Sequence, residues 1–227
     1  MKSRDAADLL IANAAEVLTC GHDATDAIGL IPGGSVAIAG ERIVAVGDAE
    51  SVATTVDLSA ARVIDATGKV VLPGFVDCHT HVVFGGSRVD EYTARIAGQD
   101  LEPLRARGVP VGILGTITQT RALEVADLAA QALPRLEAML DAGTTTVESK
   151  SGYALTVEGE LRMLEANRLL ETLQPVEIVS TFLGAHALPE DRQREDYVTE
   201  IVEEMIPRVA SENLATFCDV YCEEGYF

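Results

Sequence analysis

His79 and His81 stand one residue apart at the end of an apolar run, Val70-Val71-Leu72-Pro73-Gly74-Phe75-Val76-Asp77-Cys78. Alternate side chains of a β-strand share a face. A strand here therefore projects both histidines together, sends Cys78 and Thr80 to the other side, and sets Asp77 one layer deeper on the histidine face. Two imidazoles converging from one strand end can supply two ligands to a divalent metal. A His-x-His pair alone is common, but a buried strand before it and Val82-Val83-Phe84-Gly85-Gly86 after it make a metal-site candidate. A metal on neutral imidazoles brings the pKa of a bound water near neutrality and polarises a carbonyl, the chemistry of amide hydrolysis.

Three more residues extend this constellation. Arg88, seven residues past His81, offers a guanidinium that can grip a carboxylate bidentately. Its competing reading is a surface arginine paired with Asp90 or Glu91. Tyr153 presents a phenol just past a second strand, where it binds substrate or packs. His186 closes a third strand; alone it also reads as a structural histidine held by a backbone carbonyl. Three of the four histidines thus fall at carboxyl ends of strands, where α/β barrels collect functional groups. His22, in Gly21-His22-Asp23, reads as a solvated loop residue, and Lys150 as a structural partner of Glu148.

The elements that must position these groups follow from periodicity. The segment before residue 70 is β-rich: Leu9–Ala14 is strand-like, 35–47 reads as a hairpin turning at Gly40-Glu41, and Arg62–Lys69 gives another strand and turn. From Val70 the pattern alternates strand and helix, the mark of a parallel α/β architecture. A long connection over 85–123 follows the first strand. Apolar spacing predicts a helix over Glu124–Ala142, with Pro134 kinking or breaking it and Gly143 stopping it. Thr144–Lys150 is the second strand, and Thr156 caps a helix running to about Leu173. Val176–Leu183 is the third strand, Tyr197–Ala210 an amphipathic helix carrying Pro207, and Leu214–Cys222 the fourth strand. A closed (β/α)8 barrel needs eight strands and roughly 250 residues. Four fit here, so the expected division is 1–69, part of a small β domain, and 70–227, the first half of a barrel, truncated.

Composition narrows the function classes. The 227 residues carry 36 acidic against 17 basic side chains, a formal net charge of −19. That argues against nucleic acid and anionic membrane surfaces as partners, and an anionic substrate needs a dedicated local cation. Cys20, Cys78, Cys218 and Cys222 show no C-x-x-C spacing and read as reduced thiols, with Cys218 expected to be buried in its strand. The N-terminus lacks the apolar stretch of a secretory signal and no run reaches membrane-spanning length, which reads as a soluble intracellular protein.

The β unit followed by Pro73-Gly74-Phe75-Val76-Asp77-Cys78-His79-Thr80-His81 resembles the amidohydrolase superfamily. Val83–Arg88, Thr145–Tyr153, Ser180–His186, Glu203–Pro207 and Phe217–Val220 resemble, within it, the imidazolonepropionases of histidine degradation. The resemblance runs from about residue 8 to the end of the chain. It implies a metal-dependent barrel beside a composite β-sandwich. It also implies hydrolysis of the cyclic amide C–N bond of 4-imidazolone-5-propanoate to N-formimino-L-glutamate, with one Zn²⁺ or iron ion. Positions matching the family make His79 and His81 metal ligands, set Arg88 on the propanoate of a small anionic heterocycle, and give Tyr153 and His186 substrate contacts. His186 then also acts catalytically, near the ring carbonyl. The family's later histidine ligand and its aspartate ligand and base match nothing before Phe227. The family is a cytoplasmic homodimer. Two departures fall in the connection over the site: Gly108-Val109-Pro110-Val111-Gly112 in place of a glycine triplet, and Leu101 where a tyrosine is common.

Two other readings of the same residues are a different mononuclear amidohydrolase, such as a heterocycle deaminase, and a non-catalytic half-barrel. Binuclear relatives place a carboxylated lysine at strand four, where this chain has Glu223 and Glu224.

Overall fold

A computed structural model describes residues 4–21, 26–107, 111–223 and 227. His22, Gly108, Val109, Pro110 and Glu224 lie outside the described residues. The chain divides into two compact units, 1–73 and 74–227.

The first unit contains β1 (Leu9–Ala12), β2 (Glu16–Leu18), β3 (Leu30–Pro32), β4 (Gly34–Ala39), β5 (Arg42–Asp48), helix α1 (Ala49–Thr55), β6 (Arg62–Asp65) and β7 (Val70–Val71). Its sheets run β5-β4-β1-β6 and β3-β2-β7. The β4–β5 hairpin turns at Gly40, whose φ of +60° suits a residue without Cβ. Asp48 caps α1, accepting from the Ser51 amide at 2.9 Å. Val70–Val71 pairs with β2 and belongs to this unit. It does not lead directly into the histidine strand, because Leu72, Pro73 and Gly74 break the extended run.

The second unit holds β8 (Phe75–Thr80), α2 (Val89–Ile96), α3 (Glu102–Ala106), α4 (Gly112–Arg121), α5 (Val125–Asp141), β9 (Thr144–Lys150), α6 (Val157–Leu170) and β10 (Glu177–Ala185). After β10 come α7 (Arg194–Glu200), a π-helical turn (Ile201–Met205), α8 (Ile206–Ser211) and β11 (Phe217–Val220). The sheet order is β11-β10-β9-β8, every pair parallel, with a helical crossover between successive strands. Leu128, Ala132 and Leu136 of α5 pack with Met163 and Leu170 of α6 on Val147 and Ile178. Leu161 and Leu164 join Phe182, Tyr197, Ile201, Met205 and Val209 in the next layer.

Several expectations are corrected. The histidine strand is exposed rather than buried: β8 is an end strand, with Phe75 53% and Val76 66% exposed. Asp77 is exposed, and the register shifts between Asp77 and Thr80, so simple alternation stops short of the histidines. Cys218 is exposed because β11 is the opposite end strand, and that strand is only four residues long. Helix α5 runs unbroken across Pro134, since Leu128 and Ala132 before it and Leu136 after it are anchored in one core. The 85–123 connection contains three helices rather than open loop. Helix α6 ends at Leu170, and Leu173 follows in a turn. The last crossover bends through the π-helical turn, in which the Ile206 amide bonds the Ile201 carbonyl just before Pro207. Among the described residues no helix is long and apolar enough to cross a membrane.

Candidate active site

The carboxyl end of β8 sets the first groups. His79 is exposed on the strand and His81 half-buried just past it, followed by fully buried Val82 and Val83. The chain then turns tightly against α4 and α5. The Gly85 amide donates to Thr120 Oγ1 at 3.0 Å and the Gly86 amide to Gln131 Oε1 at 2.9 Å. A Cβ on Gly85 would lie 2.6 Å from the Gln119 carbonyl oxygen, so only glycine fits. Arg135 of α5 donates to the carbonyls of Val82 (2.8 Å), Phe84 (3.1 Å) and Gly86 (3.3 Å), and its guanidinium lies 3.6 Å over the Phe84 ring. This holds the segment that delivers Arg88 to the start of α2. Glu91 pairs with Arg95 at 2.9 Å, and among the described residues Arg88 makes no ion pair with Asp90 or Glu91.

The ends of β9 and β10 meet at Gly152. Its φ is +103°, and a Cβ there would stand 2.6 Å from the Leu183 carbonyl and 2.9 Å from His186 Cβ. The Gly152 carbonyl lies 2.9 Å from His186 Nδ1. In neutral His186 that contact makes Nδ1 the protonated nitrogen and leaves Nε2 with the lone pair. Glu160 of α6, fully buried, accepts from the amides of Gly152 (2.7 Å), Ala154 (2.8 Å) and Leu155 (2.8 Å). Thr156 caps the helix through the Gly159 amide at 3.2 Å.

These supports bring three rings together. His81 stacks on His186 with centroids 4.8 Å apart and meets Tyr153 at 4.6 Å; Tyr153 and His186 are 5.1 Å apart. Burial, with the neighbouring His186, His79 and Lys150, lowers the His81 pKa to about 4, so the imidazole is neutral at pH 7. Among the described residues its buried Nδ1 has no hydrogen-bond partner. Burial raises the Tyr153 phenol, and the Arg88 charge opposes that shift. A cavity of about 590 Å³ is lined by His81, Arg88 and Tyr153, with Phe84, Tyr92 and Arg135 among its other walls. His79 and His186 are not among the residues that line it, and His186 stacks on His81, which does. On the sheet, buried Lys150 donates to Glu148 (2.7 Å) and Asp219 (2.9 Å), and Thr181 donates to Glu148 at 2.6 Å. Lys150 thus has the Glu148 partner expected, and a second one on β11.

A neutral imidazole with an unpartnered buried nitrogen is what a cation ligand needs, so His81 with His79 fits part of a metal's donor set. Among the described residues no cluster of three or more metal-binding side chains occurs.

Comparison with known proteins places this geometry. A model of the amidohydrolase family matches residues 62–147. The imidazolonepropionase of Symbiobacterium thermophilum is 45% identical over 230 residues, covering 97% of this chain and 53% of that relative. The Myxococcus xanthus enzyme of the same name is 45% identical over 98% of this chain and 54% of the relative. That of Haloarcula marismortui is 44% identical over 86% and 46%. The chain is similar to imidazolonepropionases along nearly its whole length. It spans about half the length of the curated imidazolonepropionases it matches. Among solved structures, the atrazine chlorohydrolase of Arthrobacter aurescens TC1 complexed with zinc aligns with a TM-score of 0.53 at 18% identity. That alignment covers 89% of this chain and 42% of that one, a likeness of fold. The four-stranded parallel sheet is an incomplete α/β hydrolase barrel of the amidohydrolase type.

Two supporting residues escaped the sequence reading. Arg135 sits on a regular amphipathic helix with nothing to distinguish it from a solvent-facing cation. Glu160 reads as an acid that complements the α6 dipole, yet it is buried and turned back onto the preceding loop. The signal that was available is the positive-φ requirement of the Ser151-Gly152-Tyr153 turn, whose free amides need an acceptor.

Proposed function

We propose that the complete protein, with this chain as its N-terminal part, hydrolyses 4-imidazolone-5-propanoate to N-formimino-L-glutamate. The observation that carries this reading is one cavity lined by a neutral histidine, an arginine that forms no ion pair among the described residues, and a tyrosine. Arg88 holds the propanoate as a charge-assisted fork. The Tyr153 hydroxyl orients the ring. His186, its Nδ1–H fixed on the Gly152 carbonyl, presents the Nε2 lone pair near the ring carbonyl, where it can take up and return a proton. Water adds across the amide: its hydroxyl goes to the carbonyl carbon, the C–N bond breaks, and the departing nitrogen takes the proton. His79 and His81 hold one Zn²⁺ or iron ion, which when bound supplies an acidified water and carbonyl polarisation. The small unit is then the first part of a composite β-sandwich, the other ligands and the general base lie in the rest of the complete protein, and the assembly is a cytoplasmic homodimer. The acidic surface speaks against nucleic acid and membrane partners.

The test is turnover by the complete, metal-loaded protein, followed as formation of formiminoglutamate. Absence of turnover with either metal overturns the reading. A heterocycle deaminase releases ammonia instead and is indifferent to loss of Arg88.

A further inference from the structure

Arg135 occupies an unusual electrical position. It lines the same cavity as Arg88. Among the described residues no carboxylate lies within ion-pair distance of it, in a chain with 36 acidic side chains. Its partners are three carbonyl oxygens, all from the turn that follows His81, and the face of Phe84. Those three bonds use three of the five guanidinium donors and leave two. Carbonyl dipoles and a ring face offset part of the cost of burying a cation, but they do not neutralise it. A guanidinium keeps its charge under such burial. Among the described residues the cavity wall therefore carries two cations that form no ion pair, and Phe84 links Arg135 to Tyr153, the Phe84 and Tyr153 rings being 6.1 Å apart.

We infer that Arg135 is the second cation of the cavity's anion-binding end: it fixes the turn that delivers Arg88 and adds an unpaired positive charge that selects ligands bearing a carboxylate. It is a positioning and field-setting residue, not one that makes or breaks bonds. The identity of the ligand's ring rests on the function proposed above; the preference for a carboxylate does not.

The experiment compares Arg135→Met and Arg135→Lys in the complete protein, using the propanoate substrate and its neutral carboxamide analogue. Arg135→Met is expected to raise KM for the propanoate more than about tenfold with kcat within about threefold. Arg135→Lys, which keeps the charge but not the three-carbonyl fork, is expected to recover most of that loss. The carboxamide KM moves less than about twofold in either variant, because it presents no charge. Equal damage by Met and Lys, or an equal rise for the carboxamide, overturns the inference. A second measurement uses the unaltered protein, so folding of a variant is not at issue. Arginine side-chain ¹⁵N resonances are followed during titration with propanoate alone. Saturable shifts of both Arg88 and Arg135 are expected, and a shift of Arg88 without Arg135 overturns the inference. Lack of turnover by the unaltered protein defeats the proposed reaction instead, and leaves the propanoate titration decisive for Arg135.

Discussion

Glu160 offers the sharpest test of how the site is held. Its carboxylate accepts from three backbone amides, those of Gly152, Ala154 and Leu155, at 2.7–2.8 Å and with no exposure to solvent. Removing the acceptor in Glu160→Ala strands three buried donors, each costing about 1–3 kcal/mol. The expected loss is about 3–9 kcal/mol, a large share of the 5–15 kcal/mol typical of a whole domain. Glu160→Gln keeps one oxygen but turns an NH₂ group toward an amide donor, so a loss of about 2–3 kcal/mol is expected. Urea unfolding of the 227-residue chain reads both values, provided the slope with denaturant is unchanged. Amide exchange at residues 152, 154 and 155 should accelerate in step. Because the Gly152 carbonyl bonds His186, Glu160→Gln should also lower kcat/KM of the complete protein. A Gln variant within about 0.5 kcal/mol of the parent would refute this reasoning, since that is the range of an ordinary surface substitution.

Three further outcomes follow from the site. Arg88→Ala in the complete protein should raise KM for the propanoate substrate about tenfold or more while kcat changes little; unchanged steady-state kinetics would detach Arg88 from the substrate. Lys150→Ala leaves Glu148 and Asp219 facing each other without the cation, and unfolding should become easier by about 3 kcal/mol, read as a lower urea midpoint. His81, with a folded pKa of about 4 against 6.5 ordinarily, binds fewer protons folded than unfolded between those values. Stability should therefore rise with pH through that window and fall on acidification, by up to about 3 kcal/mol. With chelator present, the pH 4–6.5 slope of unfolding should be shallower in His81→Gln than in the parent, and equal slopes would contradict the burial of this ring.

Much of this was legible in the sequence where a local rule decided it. The boundaries of β9, the Thr156 cap and the Gly143 stop agree with the structure because turn and cap chemistry are local. His81, Tyr153 and His186 converge because each follows a parallel strand, and parallel strands share one carboxyl end. What failed depends on neighbours the sequence does not name. Apolar Phe75 and Val76 look like core, but a strand's place in the sheet order, not its composition, decides its exposure. Cys218 was misjudged for the same reason. Pro134 looks like a helix breaker until the core on both sides of it is known. Glu160 and Arg135 were missed because their role is to answer backbone groups of other segments, which no periodicity reveals.

The π-helical turn at Ile201–Met205 has a consequence for phase. Tyr197, Ile201, Met205 and Val209 are all buried in one core and recur every fourth residue. In an uninterrupted α-helix twelve residues rotate three turns and about 120° further, which would swing Val209 toward the flank of the helix. One additional residue taken up in the wide turn cancels about 100° of that drift and leaves the four side chains in a nearly straight column. The crossover thus behaves as a gear with one extra tooth, and the alignment of α8 on the sheet is set by residue count as much as by residue type. Deleting a single residue between Ile201 and Met205 should therefore convert the wide turn into ordinary α-helix and leave Val209 in the core, because the eleven residues then separating it from Tyr197 rotate three turns and only about 20° further.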